Sequence, residues 1–137
     1  MTLKFIQENI FLIAIALVSG GMLVWPLVRR GAGGASVDTL EATMLINQKD
    51  AAVLDVREPG EFAQGHILNA RNIPAGELDA RVKEIERLKS KPLIVSCATG
   101  SRSGTVAAAL RKHGFANAVA LRGGVAAWQQ AGLPTEK

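Results

Sequence analysis

The sequence predicts an α/β domain, an open, mainly parallel sheet with helices on both faces, preceded by one transmembrane helix. Three observations lead there. Residues 9–28 (NIFLIAIALVSGGMLVWPLV) carry no charge. Beyond residue 35, short apolar runs alternate with runs of helical period, the pattern of strands covered by crossover helices. The only cysteine, Cys97, stands where one such strand should turn through glycine into a helix.

A helix over residues 9–28 would cover roughly 30 Å, the hydrocarbon thickness of a bilayer. The run is apolar all round, unlike the striped helices of a soluble surface. Trp25 suits an interface, and Arg29 with Arg30 forms a basic flank. A cleaved signal peptide is the competing reading, but the run is longer than a usual apolar signal region, and two arginines precede the small residues at 33–35. The expected division is therefore a membrane anchor with flanks at 1–30, a flexible linker at 31–35 (GAGGA) and a domain at 36–137. The anchor is expected to cross a bacterial inner membrane once, with the domain in the cytoplasm.

Within the domain, Ser36 is expected to cap a helix to about Asn47 with Leu40, Met44 and Val37 inward. Residues 52–56 (AVLDV) predict a buried strand, and Pro59-Gly60 a turn leading into a short helical piece. Residues 72–74 predict an extended segment. Leu78, Val82, Ile85 and Leu88 share one stripe of a charged helix over residues 77–88. Residues 92–96 predict a second buried strand, residues 103–113 a helix stopped by Gly114, and residues 118–121 a further strand. Gly123-Gly124 precedes a last helix through Trp128, closed by Gly132 and Pro134.

Composition narrows the function. One Cys and two His exclude an internal disulfide framework and the usual Cys/His zinc sites, so no metal or cofactor is expected. Aromatics are 4% with no Tyr, which disfavours a base-stacking platform. The net charge of +4 hints at anionic polymers, yet residues 36–137 hold 13 basic and 11 acidic residues. A nearly neutral domain without a basic stripe gives nucleic-acid binding no support.

Cys97-Ala98-Thr99-Gly100-Ser101-Arg102-Ser103 runs from a strand end into a helix. Sites collect at the carboxyl ends of parallel strands, and a strand-to-helix loop turns backbone N–H groups inward at the positive end of the helix dipole. Cys97 in such a cradle should be largely thiolate. Arg102 supplies a permanent cation, Gly100 permits the turn, and Ser101 and Ser103 can donate or cap. Cys-x4-Arg is one residue shorter than the Cys-x5-Arg loop of cysteine phosphatases and arsenate reductases. That smaller ring suits one extra sulfur on the cysteine better than a tetrahedral oxyanion.

The segment Leu54-Asp55-Val56-Arg57-Glu58-Pro59-Gly60-Glu61-Phe62, followed by Gly65-His66-Ile67 and Asn69-Ala70-Arg71-Asn72-Ile73-Pro74, resembles the N-terminal signature of rhodanese-homology domains. The loop from Cys97 to Ser103 is similar to the six-residue active-site loop of single-domain bacterial members. Leu121-Arg122-Gly123-Gly124-Val125-Ala126-Ala127-Trp128, with Ala131-Gly132-Leu133-Pro134, resembles their C-terminal motif. The resemblance implies a sulfurtransferase. Cys97 would take sulfane sulfur from a small donor, thiosulfate or a persulfide, and pass it to a thiol or cyanide. The N–H groups of Ala98, Thr99, Gly100, Ser101, Arg102 and Ser103 would stabilise the persulfide, and Arg102 would hold the donor's anionic end. A non-catalytic docking module at the membrane is the alternative, and a cysteine phosphatase or arsenate reductase a more distant one.

Other conspicuous residues have structural readings. Asp55 and Arg57 are expected to pair near the strand end, His66 to hold a turn, and His113 to sit in a last helical turn. Gly123 and Gly124 are expected to serve backbone geometry and close packing, and Trp128 to anchor the core.

Overall fold

The computed structural model describes residues 2–32 and 36–137, with side chains described outside residues 26–32. The chain divides into two compact units, Met1–Ala32 and Gly33–Lys137.

The first unit holds two helices, α1 (Leu3–Glu8) and α2 (Ile10–Ala32). They part at Asn9, whose side-chain amide turns back to donate to the Phe5 carbonyl at 2.9 Å. Phe11, Leu17, Met22 and Leu23 on α2 are all exposed. Among the described residues, however, no helix is long and apolar enough to cross a membrane. The expected span over residues 9–28 is thus not supported. Of the expected linker, residues 31 and 32 end α2, and residues 33–35 lie outside the described residues.

The second unit is built on a five-stranded sheet. Its strands are β1 (Ser36–Val37), β2 (Ala52–Asp55), β4 (Arg71–Asn72), β5 (Leu93–Ser96) and β6 (Ala118–Leu121). The spatial order is β1-β6-β5-β2-β4. Every pairing in it is parallel. A separate antiparallel ribbon joins β3 (His66–Ile67) to β7 (Thr135–Glu136).

The central strands read as continuous apolar runs because helices cover both faces. Leu54, Leu93 and Val95 face one core with Ile85, Leu110 and Phe115. Val53 and Ile94 face the other with Ala42, Val125 and Trp128. The helices are α3 (Thr39–Lys49), α4 (Pro59–Gln64), α5 (Leu78–Arg81), α6 (Ser103–Lys112) and α7 (Gly124–Gln130). Each fully buried Leu, Ile or Phe contributes roughly 1.5–3 kcal/mol.

Three local expectations are corrected. Asp38, not Ser36, caps α3, its carboxylate accepting the Glu41 N–H at 2.8 Å, while Ser36 joins the edge strand. The inward face of α3 carries Ala42, 0% exposed, with Leu45 and Ile46, whereas Leu40 is 69% exposed. The cap begins the helix two residues later, and Ala42, Leu45 and Ile46, at i, i+3 and i+4, form the face laid on the second core. The stripe Leu78, Val82, Ile85 and Leu88 does pack on the core, but only Leu78–Arg81 is α-helical, and Val82–Ser90 tightens into a 3-10 helix. Polar side chains on its outer face make no demand that separates the two windings.

Candidate active site

β5 is the central strand, and the chain leaves its carboxyl end at Cys97. The thiol is only 3% exposed, at the base of a loop that rises through Ala98–Arg102 into α6. Gly100 adopts φ +90°, a value that glycine accepts without strain, and its N–H thereby donates to Cys97 Sγ at 2.9 Å. Ser103 is fully buried, and its hydroxyl lies 3.2 Å from the Gly100 carbonyl. Burial alone pushes the Cys97 thiol up. The Arg102 and Ser103 N–H groups, the Ser103 hydroxyl and the Gly100 N–H outweigh it and hold the thiol below its ordinary value.

The loop is braced from behind by the start of α7. The Val125 N–H donates to the Cys97 carbonyl at 2.9 Å and the Ala126 N–H to the Ala98 carbonyl at 3.1 Å. Gly124, at φ +59°, lies so close that a β-carbon there would overlap the Cys97 carbonyl oxygen. The Gly123-Gly124 pair thus does what its sequence suggests. It lets the α7 backbone approach the nucleophile loop.

A cleft of about 190 Å³ opens above the sulfur. Cys97, Ala98, Ser101 and Arg102 line it from the loop, and Val56, Arg57 and Glu61 from the other side. Of the residues expected at the site, Thr99 is exposed and outside this lining, while Gly100 and Ser103 act on the sulfur from beneath. The second wall follows from strand register. Asp55 of β2 pairs with Ser96 of β5, so Val56 and Arg57 leave the sheet beside Cys97. Neighbouring strand ends in a parallel sheet form one site, and this was the available signal for Val56. Glu61 had none, since the bend after Pro59 decides where α4 points.

Arg57 has two roles. Its Nε and Nη2 grip the Asp55 carboxylate at 2.8–3.0 Å, and Nη2 also donates to the Gly65 carbonyl at 2.7 Å. This is the expected structural pair, and its guanidinium still borders the cleft. His66 holds its turn as expected, stacked on Phe62 with ring centroids 3.6 Å apart and Nδ1 2.8 Å from the Phe62 carbonyl. His113 sits at the end of α6, and Trp128 is buried with its indole N–H donating to the Pro134 carbonyl at 2.8 Å. Among the described residues no cluster of three His, Cys, Asp or Glu side chains could hold a metal ion.

The family model for the rhodanese-like domain matches residues 38–131. The chain belongs to the rhodanese-like family. Its rhodanese-like unit is 43% identical over 95 residues to the uncharacterized protein YibN of Escherichia coli, a match covering 69% of this chain and 66% of that protein. A sulfurtransferase of Allochromatium vinosum is 36% identical over 90 residues, 66% of this chain and 82% of that protein. A rhodanese-related protein of Thermoplasma volcanium superposes with a TM-score of 0.68 at 35% identity, covering 75% of this chain and 98% of that one. The chain spans two thirds or less of the first curated relatives, 66% of YibN and 62% of the uncharacterized protein YqhL of Bacillus subtilis.

Proposed function

We propose that this chain is a sulfurtransferase that carries sulfane sulfur as a persulfide on Cys97. One observation carries the reading. The Gly100 N–H points at Cys97 Sγ from 2.9 Å within a loop that favours the thiolate, beneath a cleft bordered by Arg102. A thiolate is the nucleophile such chemistry needs.

The transfer has two displacements. The Cys97 thiolate attacks the outer sulfur of thiosulfate. The donor's S–S bond breaks, and sulfite leaves with the bonding pair. Cys97 keeps a persulfide whose outer sulfur bears the negative charge, and inward N–H groups stabilise that charge as an oxyanion hole does. An acceptor thiolate or cyanide then attacks the outer sulfur, and the Cys97 thiolate returns. Arg102 holds the donor's anionic end throughout.

The test is thiosulfate:cyanide sulfurtransfer by the full chain and by Cys97→Ser. Wild type should form thiocyanate and gain one sulfur on Cys97 by mass spectrometry. The variant should lose at least roughly a thousandfold in rate. Equal rates would leave only a docking module. Hydrolysis of an aryl phosphate without a sulfur adduct would favour a phosphatase.

The place of action is likewise a proposal, namely attachment to a bacterial inner membrane through residues 9–28 with the catalytic unit in the cytoplasm. The exposed apolar side chains of α2 support an apolar partner. Fractionation, with a reporter fused after Lys137, tests it. Recovery in the soluble fraction, or an active periplasmic reporter, would overturn it.

A further inference from the structure

The cleft carries a charge pattern that thiosulfate does not match. Three charged side chains border it, Arg57, Glu61 and Arg102. Arg57 is spent on the fully buried Asp55 carboxylate, so that pair adds no net charge. Neither the Arg102 guanidinium nor the Glu61 carboxylate has a hydrogen-bond or ion-pair partner among the described residues. The cleft therefore offers a ligand one unneutralised cation, on the loop, and one unneutralised anion, on α4. Thiosulfate brings two negative charges. Arg102 attracts it, and Glu61 repels it.

We infer that Glu61 is a specificity-determining residue, and that the cleft takes a zwitterionic, amino-acid-like sulfur donor whose carboxylate meets Arg102 and whose ammonium meets Glu61. The inference rests on the sulfurtransferase reading and names its substrate class. The step balances. The Cys97 thiolate attacks the outer sulfur of the donor R–S–S–H, the donor's S–S bond breaks, and R–S⁻ leaves with the bonding pair. Cys97 is left as the neutral persulfide, its hydrogen carried over with the sulfur, and no external oxidant or reductant enters. The competing role for Glu61 is structural, since an acidic side chain in the first turn of α4 favours the helix. That role would affect all donors alike.

The experiment uses two donors that differ in one charge. Cysteine persulfide bears both ammonium and carboxylate, and N-acetylcysteine persulfide bears the carboxylate alone. The readout is the rate of persulfide formation on Cys97 of the full chain, by mass spectrometry, as kcat/KM for each donor. A single charge at a partly exposed site is worth roughly 5-fold, so wild type should favour cysteine persulfide by about that ratio. Glu61→Gln should bring the ratio to near one and speed transfer from thiosulfate. Glu61→Asp, which restores the charge, should restore part of the preference. A wild-type ratio near one, or a preference that survives in Glu61→Gln, overturns the inference and leaves the sulfurtransferase reading standing. If no donor places sulfur on Cys97, both fall.

Discussion

Gly124 lies against the Cys97 carbonyl with no room for a β-carbon between them. Residues 27 positions apart in the chain are thereby locked, and the adjoining Val125 and Ala126 N–H groups tie down the same stretch of loop. The nucleophile's position depends on a helix that contributes no side chain to the cleft.

Gly124→Ala should accordingly damage both fold and site. A non-glycine residue at φ +59° costs about 1–2 kcal/mol, and displacement of the Cys97 backbone adds to it. We expect at least about 2 kcal/mol of destabilisation in urea unfolding, with slower alkylation of Cys97. A variant as stable and as reactive as wild type would show that the loop tolerates a shifted α7.

The thiol's titration gives a pH prediction with a definite sign. Cys97 is held below its ordinary value although burial opposes this, with the Ser103 hydroxyl among the causes. The rate of iodoacetamide alkylation should therefore rise with pH around a midpoint below that of an unfolded cysteine. Ser103→Ala should move the midpoint upward. Between the folded and unfolded values the unfolded chain binds more protons, so stability rises with pH across that window. The contribution is complete above the unfolded value and lost as pH falls through the folded one. Urea midpoints of wild type and Cys97→Ser, followed over pH, should diverge in that window and nowhere below it.

The Asp55–Arg57 pair predicts a large effect from a single truncation. Asp55 is 0% exposed and takes three contacts from the guanidinium and one from the Arg57 N–H. Arg57→Ala would leave that carboxylate buried and unpaired, a loss of about 3–5 kcal/mol. Arg57→Lys should rescue little, because an ammonium cannot span both oxygens and the Gly65 carbonyl. Denaturant unfolding checks both, and a loss under about 1 kcal/mol for Arg57→Ala would contradict the account.

Ser96 predicts the opposite direction. Its hydroxyl is buried with no hydrogen-bond partner among the described residues. An orphaned polar group costs about 1–3 kcal/mol, which Ser96→Ala would relieve in part. The variant should be as stable as wild type or more so, by up to about 1 kcal/mol, with the rate of persulfide formation unchanged. A clear loss of stability would mean that the hydroxyl has a partner after all.

By itself the sequence determined where the central strands lie, where the nucleophile sits and which glycines must bend. Val53-Leu54 and Leu93 to Val95 are apolar enough to be buried on both faces, and Cys97-to-Ser103 and Gly123-Gly124 need turns that few residues allow. These properties are local, so they are legible along the chain. Tertiary structure decided the rest. Docking on the second core decided which face of α3 is buried, so Ala42 rather than Leu40 packs inward. The parallel register of Asp55 with Ser96 brought Val56 and Arg57 to the sulfur, and the turn into α4 brought Glu61 to the cleft. Charge at the mouth of the site depends on segments some 40 residues apart in the chain. Their juxtaposition is a matter of strand order and crossover path, which hydrophobic periodicity does not encode.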